Sequence, residues 1–284
     1  MTNMPAIHTE NRITLRLAEN EDDLQAAQRL RWRVFYAEMG AASDPSALLQ
    51  MDADEFDILC DHLLVIDEAR PKGDQVIGTY RLLRESVARR HHGFYSAREF
   101  DLAPLANQPG AQGELLELGR SCILPEYRTS ATISLLWRGI ADYIARHDIR
   151  LMFGCASFSG ADPDSHAPAL SYLYHRHLAD EPARPQAHAN CFEPLERLAD
   201  GSYDERRAMM ALPPLIKGYL RVGAKVGDGA FIDRQFNTVD VCIVMPVVNI
   251  AQRYLSRFNT VDVCIVMPVV NIAQRYLSRF SCAA

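Results

Sequence analysis

Residues 114–128 read ELLELGRSCILPEYR, a run apolar enough for a central strand that still carries Glu117, Gly119 and Arg120 in its middle. Burying a carboxylate and a guanidinium costs several kcal/mol unless the two are paired or put to use. Strand alternation sends Leu115, Glu117, Gly119 and Ser121 to one face and Leu116, Leu118, Arg120 and Cys122 to the other. The two charges therefore point apart unless a bulge re-aims one of them, and Gly119 is the expected place for it. Such a bulge also splays the following strand away and leaves backbone N–H groups free to receive an oxyanion. The bland alternative is a salt bridge to Arg81, Asp54 or Asp57. The residues alone leave both readings open.

The rest of the chain reads as a sheet built around that run. Residues 12–18 alternate as a strand, and 20–40 carry Leu24, Ala27, Leu30, Val34 and Phe35 at helical spacing, with Asn20 as cap and Gly40 as stop. Residues 62–67 and 75–84 flank a turn-rich segment and read as a hairpin. Residues 85–112 look irregular. After the charged strand come a helix capped at Thr129 or Ser130, a strand over 149–157, a helix after the Asp162-Pro163 turn, a short helix entered at a proline, and two final strands. This order predicts an α/β fold with a mixed, mostly antiparallel central sheet and helices on both faces, a three-layer sandwich.

Residues 236–257 recur letter for letter as 258–279. Two copies make no solenoid, which needs at least about three repeats. Only one can fill the last strand position, and the first reaches it by the shorter connection. The expectation is one domain over 1–257, with 258–284 a surplus copy and a short tail.

A net charge of -6 argues against a nucleic-acid partner. The seven cysteines form no C-x-x-C pair and sit mostly in apolar runs, as free thiols of a reducing, cytoplasmic compartment do. No metal site is expected. No apolar run approaches the ~20 residues of a spanning helix. The segment NIAQRYLSRF is a short amphipathic candidate for weak peripheral contact with the cytoplasmic face of an inner membrane.

Five segments, RWRVFYAEMG, DADEFDILCDHLLVID, GTYRLLR, FYSAREFDL and LELGRSCILPEYR, together with PPLIKGYLRVGAKVGDGAFIDRQFNTVDV, resemble the ornithine–acyl-carrier-protein N-acyltransferases, over roughly residues 12–248. The resemblance implies a fold of the GCN5-related N-acetyltransferase type. The chain is more distantly similar to acyl-homoserine-lactone synthases. Their motif positions correspond here to Arg31 (or Arg33) with Phe35, to Asp54 with Asp57, to Arg81, and to Glu117 with Arg120. The pyrophosphate motif of the acetyltransferases, R/Q-x-x-G-x-G/A, reads Arg128-Thr-Ser-Ala131-Thr-Ile133, with neither glycine. That fits a phosphopantetheine on acyl carrier protein as donor, and no free cofactor.

The resemblance implies transfer of a 3-hydroxyacyl group to the α-amine of L-ornithine. Glu117 is expected as general base, with Asp54 and Asp57 forming an anionic pocket for the acceptor and Arg31 and Phe35 beside it. Arg120 or Arg81 would bind the acceptor carboxylate or brace the aspartates. The amides near Ser121 and Cys122 would hold the oxyanion, Arg128 the donor, and Tyr172 or Tyr174 would protonate the leaving thiolate. The basic run RRHHGFYSAR is a docking candidate for the acidic carrier protein. Rival readings keep the chemistry with glycine, another amino acid or S-adenosylmethionine as acceptor, or make the chain a silent carrier- or membrane-binding protein on the same fold.

Overall fold

The computed structural model describes residues 7–8, 12–42, 47–108 and 111–248. Short β1 (Ile7–His8) and β2 (Ile13–Leu17) lead into α1 (Glu21–Trp32), whose cap Asn20 accepts from the Asp23 amide at 3.0 Å. The helix then widens into a π-turn over Arg33–Glu38 and stops at Gly40, where φ is +77°. The single regular helix expected over this stretch is thus half right. The widened turn is the part that reaches the cavity described below.

The hairpin of β3 (Asp61–Asp67) and β4 (Val76–Arg84) is as expected. Residues 85–112 are less irregular than their composition suggests. They hold α2 (Glu85–Ala88), a tight turn at Tyr95–Arg98, β5 (Phe100–Asp101) and α3 (Ala103–Ala106). There follow β6 (Glu114–Ile123), α4 (Ser130–His147) capped by Thr129, β7 (Ile149–Ser159), α5 (Ala167–His177), β8 (Gln186–Ala187), α6 (Glu205–Ala211), α7 (Pro214–Arg221), β9 (Lys225–Asp233) and β10 (Thr238–Pro246).

The described strands form one ten-stranded sheet in the order β1-β2-β3-β4-β6-β7-β10-β9-β8-β5. Pairing is antiparallel except at β6–β7 and β8–β9. Side-chain alternation divides its two faces. Leu63, Tyr80, Leu116, Leu118 and Met152 face the side that carries α4 and α7. Leu115, Phe153 and Val244 face the other side and pack on Phe100 and Leu105. Glu117, Cys155 and Asp240 share that second face by parity. α4 lies so close to the sheet that a Cβ on Gly139 would meet Leu15 and Leu63 side-chain carbons at 2.8 Å.

β10 comes from the first copy of the duplicated segment. It pairs along its whole length with β7 and on its other edge with β9. The second copy, and both occurrences of NIAQRYLSRF, lie outside the described residues.

Candidate active site

The break in the central strand is real but sits one residue later than Gly119. Thr79 pairs with Cys122 and Arg81 with Gly119, so Tyr80 alone opposes both Arg120 and Ser121. Arg120 takes the left-handed conformation, φ +48°, a position where a bulge ordinarily uses glycine. The extra residue turns the guanidinium onto the face that holds Glu117. There it lies 4.9 Å from the Tyr95 ring centroid and 4.8 Å from that of Phe236.

On the other edge, β6 pairs with β7 only from Glu114–Ile149 to Glu117–Phe153. At the end of this pairing the backbones come close enough that a Cβ on Gly154 would fall 2.2 Å from the Leu118 carbonyl oxygen. Beyond it the two strands separate around a cavity of about 730 Å³. The cavity reaches both faces of the sheet. Ile133, Leu136, Trp137, Leu215 and Tyr219 line one side; Arg81, Tyr95, Ser96, Glu117, Arg120 and Asp240 line the other.

Glu117 is 4 % exposed and forms no ion pair among the described residues. Its two oxygens accept the Tyr95 amide at 2.8 Å and the Ser96 amide at 2.7 Å. Burial raises its pKa; the Ser96 hydroxyl, these two amides and Arg81 oppose the shift without cancelling it. A fixed carboxylate that holds a proton more readily than a surface one suits general-base work near neutrality. The residues that fix it come from the 85–112 segment, which no periodicity marks.

The aspartates do something other than expected. Arg31, 1 % exposed, holds both Asp57 oxygens at 2.9 and 2.6 Å, bonds the Asp52 carbonyl and pairs with the Asp52 carboxylate at 2.8 Å. Arg81 meets Asp54 at 2.6 Å and Asp57 at 2.9 Å, and Arg120 meets Asp52 at 3.1 Å and Asp54 at 3.3 Å. Gln28 also donates to Asp57 at 2.9 Å. Burial alone would raise the Asp57 carboxyl, but Arg31 and Arg81 hold it well below the usual carboxylate range. Three arginines thus neutralise three aspartates. Asp54, Asp57 and Arg31 do not line the cavity, so the anionic pocket assigned to the two aspartates is absent there. They hold Arg81 and Arg120 in place. Asp52, two residues ahead of Asp54, was missed, although the spacing D-x-D-x-x-D displays it.

Phe35 does line the cavity, edge-on to Phe236 at 5.9 Å; Arg33 is instead half-exposed and paired with Asp74 at 2.5 Å. Ser121 and Cys122 line the splayed edge. Burial pushes the Cys122 thiol up to about 12, which suits a packed strand thiol and not a nucleophile. Arg128 lies at the cavity but is tied to Glu38 at 2.7 and 2.6 Å. Tyr172 and Tyr174 sit on α5 away from the cavity, so neither reaches a leaving group there. The cavity has its own phenols, Tyr80 and Tyr219, whose hydroxyls meet at 3.0 Å. Burial keeps both protonated.

Residues 30–138 match the model of the acetyltransferase (GNAT) domain family. The L-ornithine N(alpha)-acyltransferase of Brucella abortus is 46 % identical over 248 residues, 86 % of this chain and 88 % of that protein. The chain belongs to the L-ornithine N(alpha)-acyltransferase family. Its Agrobacterium fabrum relative of the same name is 47 % identical over 245 residues, 85 % of this chain and 83 % of that protein. Among solved structures, the AHL synthase LasI aligns with a TM-score of 0.47 and 14 % identity, over 89 % of this chain and 98 % of that one. The expected α/β architecture and acyltransferase chemistry both stand.

Proposed function

We propose that the protein moves a 3-hydroxyacyl group from acyl carrier protein to the α-amine of L-ornithine, forming an amide, the first step towards an ornithine lipid. The observation that carries this reading is the buried, amide-fixed Glu117 at the head of a cavity opened by the splay of β6 from β7. The substrate named for the relatives supplies the acceptor.

An amine attacks a thioester only when neutral, and both ornithine amines are protonated at pH 7. Glu117, directly or through a water, takes the proton from the α-ammonium. The nitrogen adds to the thioester carbonyl carbon. Backbone N–H groups along Leu118–Cys122, which have no partner strand on the β7 side, receive the oxyanion. The C–S bond then breaks, the thiolate takes a proton from Tyr219 or Tyr80, and the second proton of the attacking nitrogen returns to that phenolate as the amide forms. Glu117 releases the first proton to solvent. A thioester is already activated, so no covalent enzyme intermediate is needed.

The two sides of the cavity divide the substrates. The Ile133, Leu136, Trp137 and Leu215 side takes the acyl chain, and the Glu117 side takes the amino acid. The donor reading rests on the start of α4. Its orphan amide at Thr132 is already bonded to the Thr129 hydroxyl, and Arg128 is occupied by Glu38. Nothing there is prepared for a coenzyme pyrophosphate. No helix among the described residues is long and apolar enough to cross a membrane. We place the protein in the cytoplasm, in peripheral contact with the inner membrane that receives its product.

Lipid extracts from a bacterial host without such lipids test the reading. Expression should add an N-acyl-ornithine; an N-acyl-glycine, an acyl-homoserine lactone, or no new species would contradict it.

A further inference from the structure

With Asp52, Asp54 and Asp57 neutralised by arginine, the negative charge on the acceptor side of the cavity has to be sought elsewhere. A second group of carboxylates provides it. Asp240 on β10 and Asp233 at the end of β9 line the cavity, and Glu99 lies directly behind Cys155. One carboxylate oxygen from each of these three residues lies within 4.8 Å of the others. None forms an ion pair among the described residues. The cluster alone would mean little. However, Asp240, 6 % exposed, has an Oδ1 that no donor meets at ordinary hydrogen-bond geometry, and the Thr238 hydroxyl beside it has no such bond either; the Thr238 and Ser157 hydroxyls act on the carboxylate only as loose contacts. Both residues line the cavity. Polar atoms buried to this degree are normally paired, and exceptions concentrate where a ligand completes them.

We infer that Glu99, Asp233 and Asp240 form the subsite for a second cation on the acceptor, the ammonium at the far end of its side chain. This rests on the proposed function and adds to it the feature that selects a diamino acid. The cluster stands next to the base. The Ser96 amide donates to Glu117, the Ser96 hydroxyl lies 3.3 Å from Cys155 Sγ, and that sulfur donates to Glu99 Oε2 at 3.1 Å. That relay of contacts places the cluster on the side of the base that the three-methylene arm of a bound diamino acid has to reach. An ammonium offers three N–H donors and needs few partners. A divalent metal wants six or more oxygens. The cluster suits the ammonium, because Glu99 Oε2 is taken by Cys155 and Asp233 Oδ1 already accepts the Gln235 and Phe236 amides at 2.8 and 2.9 Å. Burial and mutual repulsion push Glu99 up to about 8 and Asp240 up to about 6, the latter against the Ser157 and Thr238 hydroxyls and the Arg120 charge, so an ammonium bound here displaces protons.

The test pairs L-ornithine with L-norvaline, which has the same carbon arm without the terminal amine, on the full chain and on Asp240→Asn. Rates are read with acyl carrier protein as donor, and binding of each amino acid and of 1,4-diaminobutane is read by calorimetry. In the wild type, ornithine should be preferred to norvaline. In Asp240→Asn the kcat/KM ratio of ornithine to norvaline should fall about ten- to a hundredfold, mostly through KM, as expected for losing a buried charged hydrogen bond. Diaminobutane binding should weaken in step. Equal losses for both amino acids, or an unchanged ratio, would overturn the subsite while leaving the proposed function intact. Diaminobutane or ornithine binding that depends on Asp240, with no amine acylated, would keep the subsite and sink the proposed function. Calorimetric Mg²⁺ or Mn²⁺ binding lost in Asp240→Asn, with ornithine indifferent, would replace the ammonium by a metal and overturn the inference. Should Asp240→Asn be unfolded by circular dichroism, Thr238→Val is measured instead, with the same fall in ratio expected and an unchanged ratio overturning the subsite.

Discussion

The Ser96 amide reaches Glu117 Oε1 at 2.7 Å, and that bond joins the most charged point of the central strand to a loop some twenty residues earlier in the chain. Glu117 is held by backbone N–H groups that cannot be moved without moving the Tyr95–Arg98 turn. Its partners are neutral, so it remains free to take and release a proton. The arginines and aspartates nearby pair with one another, and Arg81 acts on the base through its charge without forming an ion pair with it.

Arg120 tests the bulge. Its left-handed backbone costs about 1–2 kcal/mol that a glycine would not incur. Losing the guanidinium strands part of the charge on Asp52 and Asp54, at about 3–5 kcal/mol. Both Arg120→Gly and Arg120→Ala should therefore be destabilised, with the glycine variant the more stable by about 1 kcal/mol in chemical denaturation. In an ordinary strand glycine is the worse of the two. Finding that ordinary order at residue 120 would show that the backbone is not left-handed there.

The acidic cluster sets a pH dependence. The Glu99 carboxyl lies higher in the folded protein, at about 8, than its ordinary 4.5, and Asp240 rises from 3.8 to about 6. The folded state then binds more protons than the unfolded one between those limits, so stability falls as pH rises. Thermal melts should decline from about pH 5 to pH 8. Glu99→Gln should flatten that decline and melt higher than the wild type at pH 8. A wild-type melting temperature that climbs through this range would contradict the assignment. Asp57 works in the opposite sense: its contribution is present above its ordinary 3.8 and is lost only in stronger acid.

Donor choice follows from the start of α4. With Thr129 capping the helix and Arg128 bound to Glu38, kcat/KM with acyl-carrier protein should exceed that with the matching acyl-coenzyme A at least tenfold. Equal values for the two thioesters would mean that this helix end opens to a pyrophosphate after all.

Much of this arrangement could be read from the chain. Apolar runs mark the long strands, of which β3, β4 and β10 are buried on both faces, and helical spacing of apolar residues marks α4. Interruption of β6 by Glu117 and Arg120 marks the site. Two of the departures in the site have physical causes. The sequence suggests a pocket at Asp54 and Asp57 because a carboxylate in a sequence shows its charge but not its partners. Arg31, Arg81 and Arg120 come from three other elements and consume that charge. Tyr172 and Tyr174 stand out in the sequence by their helix, while the cavity's phenols, Tyr80 and Tyr219, are brought together by a contact across 139 residues. Asp233, Asp240 and Glu99 carry no motif and meet only through the β9–β10 pairing and the packing of β5.

Deleting residues 258–279 should leave a folded, active enzyme. β10, from the first copy, is bonded on both edges, so the sheet has no place there for the second. An identical strand competing for that position weakens register, so the shortened chain should run as a sharper single species by size exclusion. An insoluble or inactive product would assign the last strand to the second copy.

The most direct measurement is single-turnover acyl transfer by Glu117→Gln. Purified protein, 3-hydroxyacyl-carrier protein and L-ornithine are mixed, and N-acyl-ornithine is counted by mass spectrometry. The variant should bind ornithine, keep its circular dichroism, and form product about 10²–10⁴ times more slowly than the wild type. The alkaline-rising limb of the wild-type pH–rate profile should vanish with it. Product formed by folded Glu117→Gln at near wild-type rate, with that limb intact, would contradict the assignment of Glu117 as the base.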